Sequence, residues 1–378
     1  MCAVSAAGAV SCWGDNNGGK SAVPAPAALG GQVAVAAGDA HSCALSAAGG
    51  ASCWGGTSDR TNVPASATGG QIAIEAGCDH TCTLSAAGAV TCWGSNGQGQ
   101  TSVPASAASG GHVAVAAGYY HTCALSTAGG VSCWGANNAG QTSVPVYAAS
   151  GGQLAVTAGM EHTCVLSIAG GVSCWGANDS GQVSVPASAA GGGQVSVAAG
   201  RQHTCALSAN GRVSCWGLNH VGQTDVPATV AAGGQVAIVS QFYHTCSLST
   251  VGGLTCWGYN NLGQSTVPSA FSFASLPCRP TTFNCSSSLF RPLPRMDLVG
   301  TPIGGPDFNA PGAPTWLVSE DRCRFACCAT TGCTGYSFAQ YDAASRNSAP
   351  LACFLFANVT QLVHSNIMAS GMLHSSLL

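Results

Sequence analysis

Between His121 and Gly135 the chain reads HTCALSTAGGVSCWG: two short runs, Thr122–Ser126 and Val131–Trp134, alternate apolar and polar residues around a Gly-containing turn. That pattern predicts a β-hairpin. With Ser126 opposite Gly130, Cys123 faces Cys133. Directly opposed residues of a non-hydrogen-bonded antiparallel pair lie about 4.5 Å apart at Cα, within the span of about 4.4–6.8 Å that a disulfide accepts. Leu125 and Val131 share the cysteine face while Ala124, Ser132 and Trp134 take the other, so both faces need cover. Ahead of the hairpin, His112–Gly118 (HVAVAAG) alternates with period two and predicts a strand with one face buried. Behind it come a Gly/Asn-rich turn, Ala136–Gln141, and an extended tail, Thr142–Pro145, whose proline marks a strand end or edge. Such a unit supplies three to four strands.

The same hairpin occurs seven times. Its cysteine pairs, ten positions apart, are Cys2/Cys12, Cys43/Cys53, Cys82/Cys92, Cys123/Cys133, Cys164/Cys174, Cys205/Cys215 and Cys246/Cys256, and Trp-Gly follows each second cysteine. The period is 41 residues, shortened to 39 between Cys43 and Cys82. A repeat of about 40–45 residues holding several short strands is the signature of a propeller blade, whereas helical arrays of similar period need amphipathic helices. None of helix length is patterned before about residue 290, and seven blades predict a closed ring. The first unit lacks its opening strand. A segment after Pro268, with Phe271, Phe273 and Leu276 alternating with small residues, is expected to complete that blade; a stretch upstream of Met1 is the other source. In the second unit, Gly55–Pro64 is one residue short and loses the Gly-Gln pair.

The pattern GxxHTCALSxxGGVSCWGxNxxGQ resembles the regulator-of-chromosome-condensation (RCC1-like) repeat, with Gly118, His121, Ala124-Leu125, Gly130, Trp134-Gly135 and Gly140-Gln141 in place. The resemblance covers about residues 1–276 and implies an all-β seven-bladed propeller. The cysteine pair and the Cys-Trp-Gly ending look more like the extracellular branch, such as the ectodomains of crinkly-type plant receptor kinases and secreted bacterial relatives, than the nuclear exchange factor. Residues 277–295 read as a linker punctuated by Pro277, Pro280, Pro292 and Pro294, in which Cys278 and Cys285 could close a small loop. From 296 to 378 the texture changes. Glu320–Ala329 reads as a short helix capped by Ser319, and Gly332–Phe338 and Leu351–Phe356 as strands. With Asp297–Gly305 and Ala369–Leu373 this resembles a PAN/Apple domain, a small disulfide-rich α+β fold. The resemblance implies Cys323–Cys353 and Cys327–Cys333 disulfides, leaving Cys328 and Cys78 unassigned. A domain this small needs such staples.

Charged residues make up 6% of the 378 and the net charge is −3. In the repeat region Lys20, Arg60, Arg201 and Arg212 stand against eight acidic residues, so the basic footprint of a nucleic-acid binder is missing. Fourteen of the 22 cysteines lie opposite one another in hairpins, which fits an oxidising compartment and a secreted or cell-surface location. Met1-Cys2 runs directly into a strand with no signal peptide, so a leader is expected upstream; no run of 18 apolar residues offers a membrane span. Sequons at Asn178, Asn284 and Asn358 agree with secretion.

Candidate chemistry is sparse. His41, His80, His121, His162, His203 and His244 share one position in six blades; equivalent positions around a ring diverge, so a structural role, each imidazole bonding backbone near its strand's start, is expected rather than a metal ring. The seven repeated tryptophans are expected to pack between blades. No nucleophile with base and orienter stands out of the periodic background, no phosphate loop or zinc-type spacing occurs, and neither enzyme activity, metal nor cofactor is expected. The repeats disagree at the two positions before each histidine: Asp39-Ala40, Cys78-Asp79, Tyr119-Tyr120, Met160-Glu161, Arg201-Gln202 and Phe242-Tyr243. Either these turn tips have drifted, or Asp39, Asp79, Tyr119, Tyr120, Met160, Glu161, Arg201, Gln202, Phe242 and Tyr243 form a ligand-binding rim rich in the residues interfaces favour. The turns bearing Asn137, Asn178, His220 and Asn260 are a second candidate surface. Together these readings predict a non-catalytic extracellular recognition protein for protein or carbohydrate ligands, using the rim and the PAN/Apple domain. Alternatives are an intracellular guanine-nucleotide-exchange or ubiquitin-pathway propeller and a secreted enzyme inhibitor, since a bacterial β-lactamase-inhibitor protein also resembles this superfamily.

Overall fold

In the fourth unit the alternating runs pair as expected. Inner strand His112–Ala117, middle strand His121–Ser126 and outer strand Val131–Gly135 form one antiparallel sheet, with Cys123 opposite Cys133 and Leu125 opposite Val131. The computed structural model describes residues 1–269 apart from Ala6. The closing segment with Phe271 and Phe273, the linker at 277–295, the PAN/Apple-like region at 296–378 with its Cys323–Cys353 and Cys327–Cys333 pairings, and the sequons at Asn284 and Asn358 lie outside the described residues. Within them are seven sheets: six of three strands, and a first of two, Cys2–Val4 and Val10–Cys12.

Every hairpin cysteine pair is a disulfide: Cys2–Cys12, Cys43–Cys53, Cys82–Cys92, Cys123–Cys133, Cys164–Cys174, Cys205–Cys215 and Cys246–Cys256, with Cα–Cα separations of 4.0–4.1 Å. The cover that the shared face called for reaches the two ends of each bond unequally. Cys43, Cys82, Cys123, Cys164, Cys205 and Cys246, on middle strands, are fully buried. Their partners Cys53, Cys92, Cys133, Cys174, Cys215 and Cys256, and Cys12 in the first sheet, are only half-buried. They sit on the outer strand, which ends the sheet and has no strand beyond it to complete the cover.

Two further local features differ from expectation. Behind the proline of most units the chain makes a single helical turn, for example Ala105–Ala108 after Pro104 and Val146–Ala149 after Pro145. Each turn buries one small residue, Ala107 or Ala148 here, and one buried position leaves no periodicity to read. The inner strands are also not one-faced. A bulge shifts the register so that Leu125 pairs with Ala114 and Ser126 with His112, leaving Val113 exposed while Ala114, Val115 and Ala116 are all buried. Sheets flank each inner strand on both sides, so both faces are covered.

The core lies between sheets. Cys123, Leu125 and Val131 of the fourth sheet pack against Val156, Val165 and Trp175 of the fifth, and Cys164, Leu166 and Val172 meet Val197, Ala206 and Trp216 of the sixth. The pattern continues around the molecule and closes. Ala3 and Trp13 of the first sheet pack on Val239, Cys246 and Leu248 of the seventh, and the Trp13 indole N–H donates to the Gln264 carbonyl at 3.1 Å. The described residues therefore form a propeller ring. Each leucine contributes about 1.5–3 kcal/mol by leaving water, and only the neighbouring sheet lets it do so.

A polar chain runs through the apolar layers from the second sheet to the seventh. The Gln100 carbonyl accepts from Trp134 Nε1 and from Thr122 Oγ1, both at 2.9 Å. With its one proton committed, Thr122 accepts from His80 Nε2 at 2.9 Å, which assigns His80 the Nε2–H tautomer. The imidazole thus bonds the next sheet's threonine, not backbone at its own strand's start. His41–Thr81 (2.7 Å), His121–Thr163 (2.9 Å), His162–Thr204 (3.0 Å) and His203–Thr245 (2.8 Å) repeat the contact. Burial pushes these imidazoles down from 6.5, to about 3 for His80, His121 and His203 and about 4 for His41 and His162, so they stay neutral.

Two outcomes are expected. Unfolded histidine takes up a proton near pH 6.5 and folded histidine only near pH 3–4, so between those values the unfolded state binds more protons. The contribution is fully present above about pH 6.5 and falls away as pH drops through the window, by at most about 1.4 kcal/mol per pH unit for each histidine. Calorimetry should show the melting temperature lower at pH 5 than at pH 7.5, with a shallower dependence in His121→Gln. Second, a Cβ on Gly118 would lie 2.5 Å from His121 Cε1 and 2.7 Å from the Gly159 carbonyl oxygen. Gly118→Ala should cost about 1–3 kcal/mol in denaturant unfolding.

Candidate functional site

The two variable positions before each histidine form the turn from inner to middle strand, and the backbone of that turn is pinned twice. The first residue's N–H donates to the next sheet: Tyr119 to the Gly159 carbonyl (3.0 Å), Met160 to Arg201 (3.2 Å) and Arg201 to Phe242 (2.7 Å). The second residue's carbonyl accepts from the loop after the outer strand: Tyr120 from Ala136 N–H (2.9 Å), Glu161 from Ala177 (2.8 Å) and Gln202 from Leu218 (2.9 Å). This divides the ten predicted residues. Asp39, Tyr119, Met160, Arg201 and Phe242, together with Cys78, line one mouth of the axial channel, a cavity of about 170 Å³. Asp79, Tyr120, Glu161, Gln202 and Tyr243 do not line it.

Arg201 is the hub of the mouth. Its guanidinium carbon lies 5.0 Å from the Phe242 ring centroid, 5.1 Å from Tyr243 and 5.8 Å from Tyr119, and its Nε donates to Met160 Sδ at 3.0 Å. Tyr120 stacks edge-on against Tyr119 and Tyr243 against Phe242, both at 4.8 Å, so two outward residues buttress the inward ones. The Tyr119 hydroxyl donates to Asp39 Oδ2 at 3.4 Å, and its ionisation is pushed up by burial, by Cys78 and by the Asp39 charge. Asp79 is paired to Arg60 at 2.9 Å; Glu161 and Gln202 contribute only backbone.

The seventh sheet departs from the others here. Gln241 stands where Gly38, Gly77, Gly118, Gly159 and Gly200 stand elsewhere, so the inner strand runs one residue further, Gln235–Gln241, and pairs Gln241 with His244. Phe242 is then turned to φ 43°, the one non-glycine residue in the left-handed region among the described residues. Such a conformation costs about 1–3 kcal/mol and places a ring against Arg201. Asn137, Asn178 and Asn260, from the second candidate surface, have their amides engaged: Asn178 Oδ1 accepts from Val183 N–H (3.1 Å) and Nδ2 donates to Ser184 Oγ (3.0 Å). His220 instead joins the first cluster, edge-on to Tyr243 at 4.8 Å.

Residues 113–141, 154–182 and 194–223 match the regulator of chromosome condensation (RCC1) repeat. The chain carries RCC1 repeats. No curated protein sequence matches it. The ectodomain of the Physcomitrella patens receptor kinase CR4 is similar in structure, with TM-score 0.50 and 29% identity over 61% of this chain and 64% of that one. The chain thus spans less than two thirds of that ectodomain. The CRINKLY ectodomain of Arabidopsis thaliana ACR4 (TM-score 0.52, 23% identity, 67% of this chain and 89% of that one) and Saccharomyces cerevisiae Prp20p (0.52, 16%, 69% and 82%) share the fold.

Cys78, Lys20 and Asp15 line the same cavity and lie outside the sequence-based set of ligand-binding candidates. Cys78 belongs to a variable pair but stood out only as an unpaired cysteine. Lys20 replaces the glutamine of later repeats; its carbonyl still accepts from Trp54 Nε1 at 3.0 Å, and its ammonium pairs with Asp15 at 2.6 Å. Asp15 carried no signal. No group of His, Cys, Asp and Glu among the described residues could hold a metal ion. Burial pushes the Cys78 thiol up to about 12. Iodoacetamide at pH 7.5 should leave the Cys78 peptide unmodified in the native protein and alkylate it after denaturation, as peptide mass spectrometry can show.

Proposed function

We propose that this chain is a non-catalytic extracellular recognition protein that binds a protein or carbohydrate ligand at the channel mouth. One observation carries the reading: the residue types that dominate binding sites, tyrosine, phenylalanine, arginine and methionine, gather at the positions where otherwise near-identical repeats differ. The turns holding them are fixed by backbone bonds on both sides, so the rim is pre-organised and loses little freedom on binding. Seven hairpin disulfides support an oxidising location, and so does the likeness to a receptor-kinase ectodomain. Among the described residues no helix is long and apolar enough to cross a membrane. Five of the six repeat histidines, the natural bases, are buried, bonded to threonines and held at very low basicity, which supports binding over catalysis. The PAN/Apple-like region at 296–378 would add a second binding surface.

Labelled full-length protein should be tested on a glycan array and a library of extracellular protein domains beside the Tyr119→Ala/Tyr120→Ala variant. The variant should lose about tenfold or more in capture of whatever the parent binds while its melting temperature stays nearly unchanged. Undiminished capture by the variant would remove the mouth from the reading.

A further inference from the structure

Of the three cationic side chains at this end of the ring, two are paired: Lys20 with Asp15 and Arg60 with Asp79. Arg201 is not. It is half-buried, its guanidinium lies over the Phe242, Tyr243 and Tyr119 rings, and its Nε is used by Met160. Among the described residues its Nη groups donate to no acceptor, although they belong to a side chain lining the cavity. A guanidinium whose Nε is engaged still has its two Nη groups as a planar N–H fork, which matches a carboxylate with two parallel hydrogen bonds. The fork is not sealed from water, and an anion bound there would replace water with two charge-assisted hydrogen bonds.

The other side of the mouth asks for the opposite chemistry. Asp39 presents a carboxylate to the cavity whose neighbours are the Tyr119 hydroxyl at 3.4 Å and the Cys78 thiol at 3.9 Å, both at Oδ2. Lys20, which reaches the same residue, bonds its backbone carbonyl and not its carboxylate. Asp39 therefore keeps lone pairs for donors, and the Tyr119 and Phe242 rings, 6.3 Å apart at their centroids, add apolar surface to the same mouth. A ligand that answers all three features carries a carboxylate at one end, hydroxyl donors at the other and a C–H face between. A cavity of about 170 Å³ holds one such ring.

We propose that the channel mouth is a subsite for one uronic-acid residue of an acidic polysaccharide, its carboxylate on the Arg201 fork and its hydroxyls on Asp39. This rests on the mouth being the recognition site. Full-length protein should be titrated calorimetrically at fixed ionic strength with trigalacturonate, with its methyl ester, which keeps the sugar but removes the charge, and with acetate. Trigalacturonate should bind about tenfold or more tighter than either control. Arg201→Gln should reduce it to the level of the ester, Arg201→Lys should restore it only in part because the charge returns without the fork, and Asp39→Asn should weaken acid and ester alike. Each variant is checked by its melting temperature. Equal binding of the ester overturns the arginine anchor, equal binding of acetate reduces the site to an anion hole, and no binding of trigalacturonate sinks the proposal outright. If trigalacturonate fails while Tyr119→Ala/Tyr120→Ala still abolishes capture on the array, recognition at the mouth stands and only the acidic sugar falls.

Discussion

A three-stranded sheet that is apolar on both faces cannot stand alone in water, and every other feature of this ring follows from that constraint. Leu125 and Cys123 are covered only because Val156 and Trp175 of the next sheet lie over them, and the same exchange is repeated until the first sheet meets the seventh. No sheet has a core of its own. Stability is accordingly a property of neighbouring pairs, as in other repeat proteins, with ring closure removing the two ends that an open array would have to cap.

Burying polar groups in those layers is possible because their partners are supplied by main chain. The tryptophan indole and the threonine hydroxyl converge on one backbone carbonyl, and the histidine then bonds the hydroxyl. That carbonyl serves whatever side chain it carries: Gln100 and Gln141 serve the fourth and fifth sheets, where their buried Oε1 atoms also accept a turn N–H, while Lys20 and Arg60 serve the second and third. The mouth follows the same rule. Its turns are held through N–H and C=O, which leaves Tyr119, Met160, Arg201 and Phe242 to vary without loosening the ring.

Much of this was legible in the chain. Cysteines ten apart with a Gly turn between them define a hairpin register, and the recurrence of that register defines the ring. The unequal burial of the two sulfurs was not legible, because Cys123 and Cys133 read alike until one is placed mid-sheet and the other at its edge. Nor was the His–Thr bond, which joins residues 40 to 42 positions apart, since nothing in a single repeat shows which neighbour a side chain reaches. Period-two alternation in HVAVA implied a one-faced strand, whereas the bulge beside Val113 puts three successive residues under cover. The variable pairs were found as a set, but their division into inward and outward members depends on the turn's backbone geometry. The positive φ of Phe242 was not legible either, because it depends on how far the strand ending at Gln241 runs.

The span of each disulfide bears on how so repetitive a chain reaches one oxidised state. Fourteen near-equivalent thiols offer a very large number of wrong partners, most of them in other repeats. Partners only ten residues apart meet on the timescale of hairpin closure, long before distant repeats find one another, and the entropy lost in closing so short a loop is small. Each unit can therefore oxidise by itself as it emerges during synthesis, and a locked hairpin has no thiol left to exchange with its look-alikes. Close likeness between repeats, which would otherwise invite scrambled cross-links, is offset by keeping each of the seven hairpin bonds local.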